Sequence, residues 1–147
     1  MSITKKWPGV YVTKSDAHIL ERIMKSDGIL HSARNRDILL IAAAIAAKQG
    51  APEIVSTEKR DVNQIHPDTL NKQEMTDYRQ YLLLIFFITA GNKKLQNMND
   101  TSAVVKNFED YAQRGLKILE QEYLTSEGSD NYLDNYLDTL SGIFPSL

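Results

Sequence analysis

Apolar residues gather along this chain in stretches that carry the spacing of helices. The first follows Ser15 and Asp16, which can cap a helix N-terminus. Ile19, Leu20, Ile23 and Met24 then recur one and four residues apart and make one apolar face, which Asp27-Gly28 ends. The second, Ile38 to Ala47, is apolar all round, as a central buried helix is; Lys48 to Gly50 add a cationic last turn and a stop. A third, Met75 to Ala90, predicts another buried helix, stopped by Gly91-Asn92. The fourth begins at the cap Asp100-Thr101 and keeps Val104, Val105, Phe108, Tyr111, Ala112, Gly115, Leu116, Leu119 and Tyr123 on one stripe. Glycine inside a helix costs about 1 kcal/mol relative to alanine, so Gly115 predicts a close helix crossing. A last helix carries Leu133, Leu137 and Leu140 on one face, within the repeat of Asn131-Tyr132-Leu133-Asp134 as Asn135-Tyr136-Leu137-Asp138.

Between the second and third stretches the pattern weakens. Pro52 breaks it, Glu53-Ile54-Val55 reads as a short strand or extended loop, Ser56 to Asn63 is polar surface, and Pro67-Asp68 starts a short helical turn. The expected fold is mainly α: one compact domain over residues 1–147, with about five helices and at most a short strand or extended loop near 53–65. A chain of 147 residues can bury roughly two-thirds of its unfolded surface in one core.

Composition narrows the function classes. Apolar residues at 42% and charged residues at 24% separate the chain from disordered sequences. The absence of cysteine excludes disulfides, thiolate zinc sites and cysteine nucleophiles. The two unbroken apolar runs, Ile38 to Ala47 and Tyr81 to Ala90, are about half the roughly 20 residues a membrane helix needs. Met1 to Val12 lacks a signal-peptide core, so secretion is not expected.

Catalytic motifs are missing. His18, His31 and His66 do not share a metal-binding spacing, and His18 with Glu21 is only half of a paired Glu-x-x-His site. The seven glycines never cluster into a phosphate loop, and there is no G-x-S-x-G. Glu120, Glu122, Asp130, Asp134 and Asp138 read as a solvated acidic face. The expectation is a binding protein without catalytic residues, metal or cofactor.

Charge is unevenly placed. Residues 1–60 hold ten Lys/Arg and six Asp/Glu, and residues 61–147 hold seven and thirteen, so the halves carry +4 and −6. Arg34-Asn35-Arg36 precedes the buried helix, where unpaired N–H groups and two guanidiniums can clamp a phosphate or a partner carboxylate. The competing reading pairs these arginines with Asp37 or with an acid of the last helix. Lys5, Lys6, Lys59 and Arg60 are the other candidate nucleic-acid contacts, and Lys93-Lys94 a weaker pair. Trp7 and Tyr11, flanking Pro8-Gly9, either face a partner or close the end of the core.

Three segments also carry a family resemblance: Arg36-Asp37-Ile38-Leu39-Leu40-Ile41-Ala42-Ala43-Ala44-Ile45, then Lys48-Gln49-Gly50-Ala51-Pro52, and Phe108-Glu109-Asp110-Tyr111-Ala112-Gln113-Arg114-Gly115-Leu116-Lys117-Ile118-Leu119. Together they resemble the Dnd system-associated proteins, small accessory proteins found beside DNA phosphorothioation and related anti-phage defence genes in bacteria. The resemblance implies a cytoplasmic accessory subunit working beside a larger ATPase or nuclease, with no catalytic residues to carry over. A looser resemblance is to the small accessory subunits of SMC-like ATPases in other defence operons. The expected function is therefore a non-enzymatic subunit that docks a larger defence protein and could help it hold DNA. The alternatives are a direct DNA-binding module built on the basic N-terminal half, and a small enzyme of unfamiliar type.

Overall fold

A computed structural model describes residues 6–26, 30–31, 33–89 and 99–124. In chain order these form β1 (Val10–Val12), α1 (Lys14–Lys25), α2 (Asn35–Gln49), β2 (Val62–Ile65), α3 (Pro67–Leu70), α4 (Thr76–Thr89) and α5 (Thr101–Ile118). A 3-10 turn, Gln73–Met75, leads into α4, and a π turn, Leu119–Leu124, continues α5. The mainly α expectation holds. The expected last helix and its repeat, and the stops at 27–28 and 91–92, lie outside the described residues.

The centre is α2 against α5. Ile38, Leu39, Leu40 and Ala42 to Ala46 are all buried, because a helix without a polar face can only sit inside. Gly50 ends α2 in the left-handed conformation, φ 61°, and Ala51 N–H reaches back to Ala46 O. On α5, Val104, Val105, Phe108, Ala112, Gly115 and Leu116 face inward as their spacing requires. Gly115 marks the crossing. A Cβ there would stand 2.7 Å from Ala42 Cα and closer still to the Ala42 carbonyl. Asp100 caps this helix by accepting the Ala103 N–H at 3.2 Å.

Three expectations need correction. Ser15 and Asp16 do not cap α1: Thr13 does, its hydroxyl accepting the Asp16 N–H at 3.0 Å, and Asp16 sits buried in the first turn. Met24 is exposed although Ile19, Leu20 and Ile23 are buried. The third apolar stretch is one-sided: Tyr78, Leu82, Ile85 and Phe86 are buried, while Phe87 is 53% and Ile88 45% exposed.

The strand expected near 53–65 forms at its far end, and Glu53-Ile54-Val55 has no regular structure. Its antiparallel partner is β1, from the segment ahead of the first helix. Val10 pairs with Ile65, Tyr11 with Asn63 and Val12 with Val62, with an irregularity between Val10 and Tyr11. Gly9 permits the close approach, since a Cβ there would stand 2.8 Å from Ile65 O. This ribbon closes one end of the core. No described helix is long and apolar enough to cross a membrane.

Candidate functional site

Arg34 is the N-cap of α2 and makes no side-chain cap; its carbonyl accepts the Asp37 and Ile38 N–H groups at 3.0 Å. Asn35 turns away, its Nδ2 donating to Gln64 Oε1 of β2 at 2.8 Å, while its Oδ1 is buried without a partner among the described residues. Arg36 is half-buried, and its carbonyl accepts the Tyr78 hydroxyl of α4 at 2.6 Å. Burial pushes that hydroxyl well above the usual tyrosine range; Asp37 adds to the shift and Arg36 opposes it. Tyr78 in turn meets Phe108 edge to face, ring centroids 6.2 Å apart. The backbone bearing the two arginines is thus held by β2 and α4. Among the described residues neither guanidinium has a hydrogen-bond or ion-pair partner, and the expected pairing with Asp37 is absent. Asp130, Asp134 and Asp138 lie outside the described residues.

Of the other candidate cations, Arg60 is tied to a different element. Arg60 faces α5: Nη2 donates to Asp110 Oδ1 at 2.5 Å and Gln113 Oε1 at 3.0 Å, and Nη1 lies 4.0 Å from Glu109 Oε1. Its charge is engaged inside the fold. Lys59 and Lys6 are exposed, and the Lys6 carbonyl accepts the Thr101 hydroxyl at the start of α5. Lys5 and Lys93-Lys94 lie outside the described residues. Of the aromatic pair, Trp7 is 6% exposed and joins the core, with its backbone clamped by Asn71; that burial removes it as an exposed anchor. Tyr11 is half-buried, and its N–H donates to Glu109 Oε2 at 2.7 Å.

These contacts form a polar junction to which no local spacing points. Glu58 receives both the hydroxyl and the N–H of Ser15, 43 residues away, and these bonds hold its carboxyl below the usual range. Burial raises Asp16 against the pull of Thr13 and Lys117. Burial likewise raises Glu109, opposed by the Tyr11 N–H and Arg60. Each carboxylate lies on a different element from its principal partner or is sunk in the core, so neighbours in sequence do not reveal the pairs. Glu58 and Glu109 both accept hydrogen bonds from backbone N–H groups of other elements.

What the described residues define is a small helical domain, capped by a two-stranded ribbon, whose junction carboxylates are occupied by the fold and whose unpartnered guanidiniums stand at one helix end. The family model of DNA sulphur modification system-associated protein 4 matches residues 10–142, and the chain belongs to that family. The match takes in every described element and ties the protein to DNA sulphur modification systems. No curated protein and no solved structure matches the chain.

Proposed function

We propose that the protein is a non-enzymatic subunit that docks a larger ATPase or nuclease of the DNA sulphur modification system in the bacterial cytoplasm. The family match carries this reading. It is supported by the use of Glu58, Glu109 and Asp110 as acceptors for backbone, hydroxyl and guanidinium groups within the fold. The test is to express the tagged chain with the proteins of its own system and identify what co-purifies. Stoichiometric capture of a system protein is expected; recovery of the chain alone would overturn the reading.

The guanidiniums of Arg34 and Arg36, unpartnered among the described residues, favour a second reading, direct contact with DNA phosphates at the α2 N-terminus. Band shifts at two salt concentrations separate the two. Phosphate contact predicts binding that falls steeply with salt. Replacing both arginines, Arg34→Gln with Arg36→Gln, should then flatten the salt dependence by about one unit of slope per phosphate that either side chain neutralises. Negligible shifts in both forms leave docking alone.

A further inference from the structure

Glu109 and Gln113 stand one turn apart on α5, and both meet Arg60 of the irregular segment 51–61. Between this segment and α5 lies a cleft of about 440 Å³, lined by Ile54, Glu58 and Arg60 on one side and Lys106, Glu109 and Gln113 on the other. That volume falls within the roughly 300–1,000 Å³ of small-molecule sites.

Gln113 and Glu109 are shielded, yet each is only half satisfied. Gln113 is 8% exposed, and its Oε1 accepts from Arg60 Nη2 at 3.0 Å. A guanidinium has only donors, so the atom that faces it is the oxygen and the amide nitrogen turns the other way. Among the described residues that nitrogen has no partner, and it is not sealed from water. The Glu109 side chain is 13% exposed and gives Oε2 to the Tyr11 N–H. Its Oε1 lies 4.0 Å from Arg60 Nη1, beyond hydrogen-bond reach, and is likewise open to water. Shielded polar groups are as a rule paired. One donor and one acceptor, on neighbouring turns, are thus left to the cleft they line.

Nearby side chains do not fill these places. Both oxygens of Glu58 are taken by Ser15. Charge does not choose the occupant either. In the lining Arg60 and Lys106 stand against Glu58 and Glu109, and the charges next beyond, Asp16, Asp110 and Lys117, add both signs. The hydrogen-bond pattern is what discriminates. It calls for a neutral group with an N–H donor beside an acceptor. A carboxamide alone has that edge but is far smaller than the cleft, whereas a flat ring that carries it also covers Ile54.

We propose that this cleft binds a small neutral heterocycle with a lactam edge, as a uracil ring has, its N–H on Glu109 Oε1 and its carbonyl on Gln113 Nε2. The site goes beyond the docking reading, which stands or falls without it.

Uridine is the probe, followed through the Tyr11 amide and the Gln113 side-chain NH₂ resonances of the whole chain. Uridine should shift both, and 3-methyluridine, which lacks the ring N–H, should bind about tenfold more weakly, as the loss of one hydrogen bond to a charged group implies. This comparison needs no variant. Gln113→Glu keeps an oxygen toward Arg60 and removes the donor; Glu109→Gln keeps an oxygen for Tyr11 and removes the acceptor. Each should weaken uridine about tenfold. The two together restore the net charge and exchange donor with acceptor, and uridine, with a carbonyl on each side of its N–H, should bind again to within about threefold of the parent. A role in folding alone predicts no such rescue. Equal binding of uridine and 3-methyluridine, no shift at Tyr11 or Gln113, or folded single variants that bind as the parent does would each overturn the proposal. Acetamide binding as tightly as uridine would overturn it as well, since a carboxamide would then be the occupant.

Discussion

Helix α5 has two faces that are held in different ways. Toward α2 it presents Val104, Phe108, Ala112, Gly115 and Leu116, and what decides the contact is volume. Toward Arg60 and β1 it presents Glu109, Asp110 and Gln113, and what decides the contact is which donor meets which acceptor. The apolar face can fail by a single methyl group, because packed backbone has nowhere to move. The polar face is partly open to water, which can replace a missing partner, so it should degrade in small steps.

The largest effects should come from the apolar face. Leu40→Asp or Ala43→Asp places an unpaired charge in the core, at a cost of several kcal/mol against a total of about 5 to 15, and should abolish the cooperative melt seen by circular dichroism. Gly115→Ala should cost at least about 3 kcal/mol, and Gly115→Leu should not fold, since even one methyl meets the Ala42 backbone. If Gly115→Ala instead raises the melting temperature, as helix propensity alone requires, the close crossing does not exist.

On the polar face, Arg60→Gln should cost only about 1 kcal/mol by chemical denaturation, because the ties it removes are partly exposed. A loss as large as that of Gly115→Ala would erase the distinction between the faces. The smallest effect is on pH. Asp16 and Glu109 have raised folded pKa values, so the folded state holds their protons more tightly than the unfolded state does. Their contribution to stability therefore falls as pH rises from the ordinary carboxylate range through the raised values. Glu58 works the other way: its lowered pKa gives stability that is present above the unfolded value and lost as pH falls through the folded one. Melting across acidic to neutral pH should show a shallower decline in Asp16→Asn with Glu109→Gln, and a weaker acid loss in Glu58→Gln. An unchanged profile in both would mean that these groups titrate as free carboxylates do.

The same division explains what could be read from the residues alone. Ile38 to Ala47 can only be a buried helix, and Gly115 is costly unless a neighbour needs the space; both inferences use residues within one helix. β1 could not be read. Val10-Tyr11-Val12 is three residues long, and its partner lies 50 or more positions later. Arg60 reads as a free surface cation because Asp110 is 50 positions away. Trp7 belongs to the core through Asn71, 64 positions away. Arg34 and Arg36, by contrast, stand where their place before an apolar run puts them, since a helix start is a local property.

The Tyr11 N–H that meets Glu109 lies on the side of β1 turned away from β2. In a growing sheet that donor would receive the carbonyl of an incoming strand. Here a fixed carboxylate already fills the position and adds a negative charge to it. On that side the ribbon offers no template for edge-to-edge association, so self-assembly by strand addition is blocked by a single side chain from a helix.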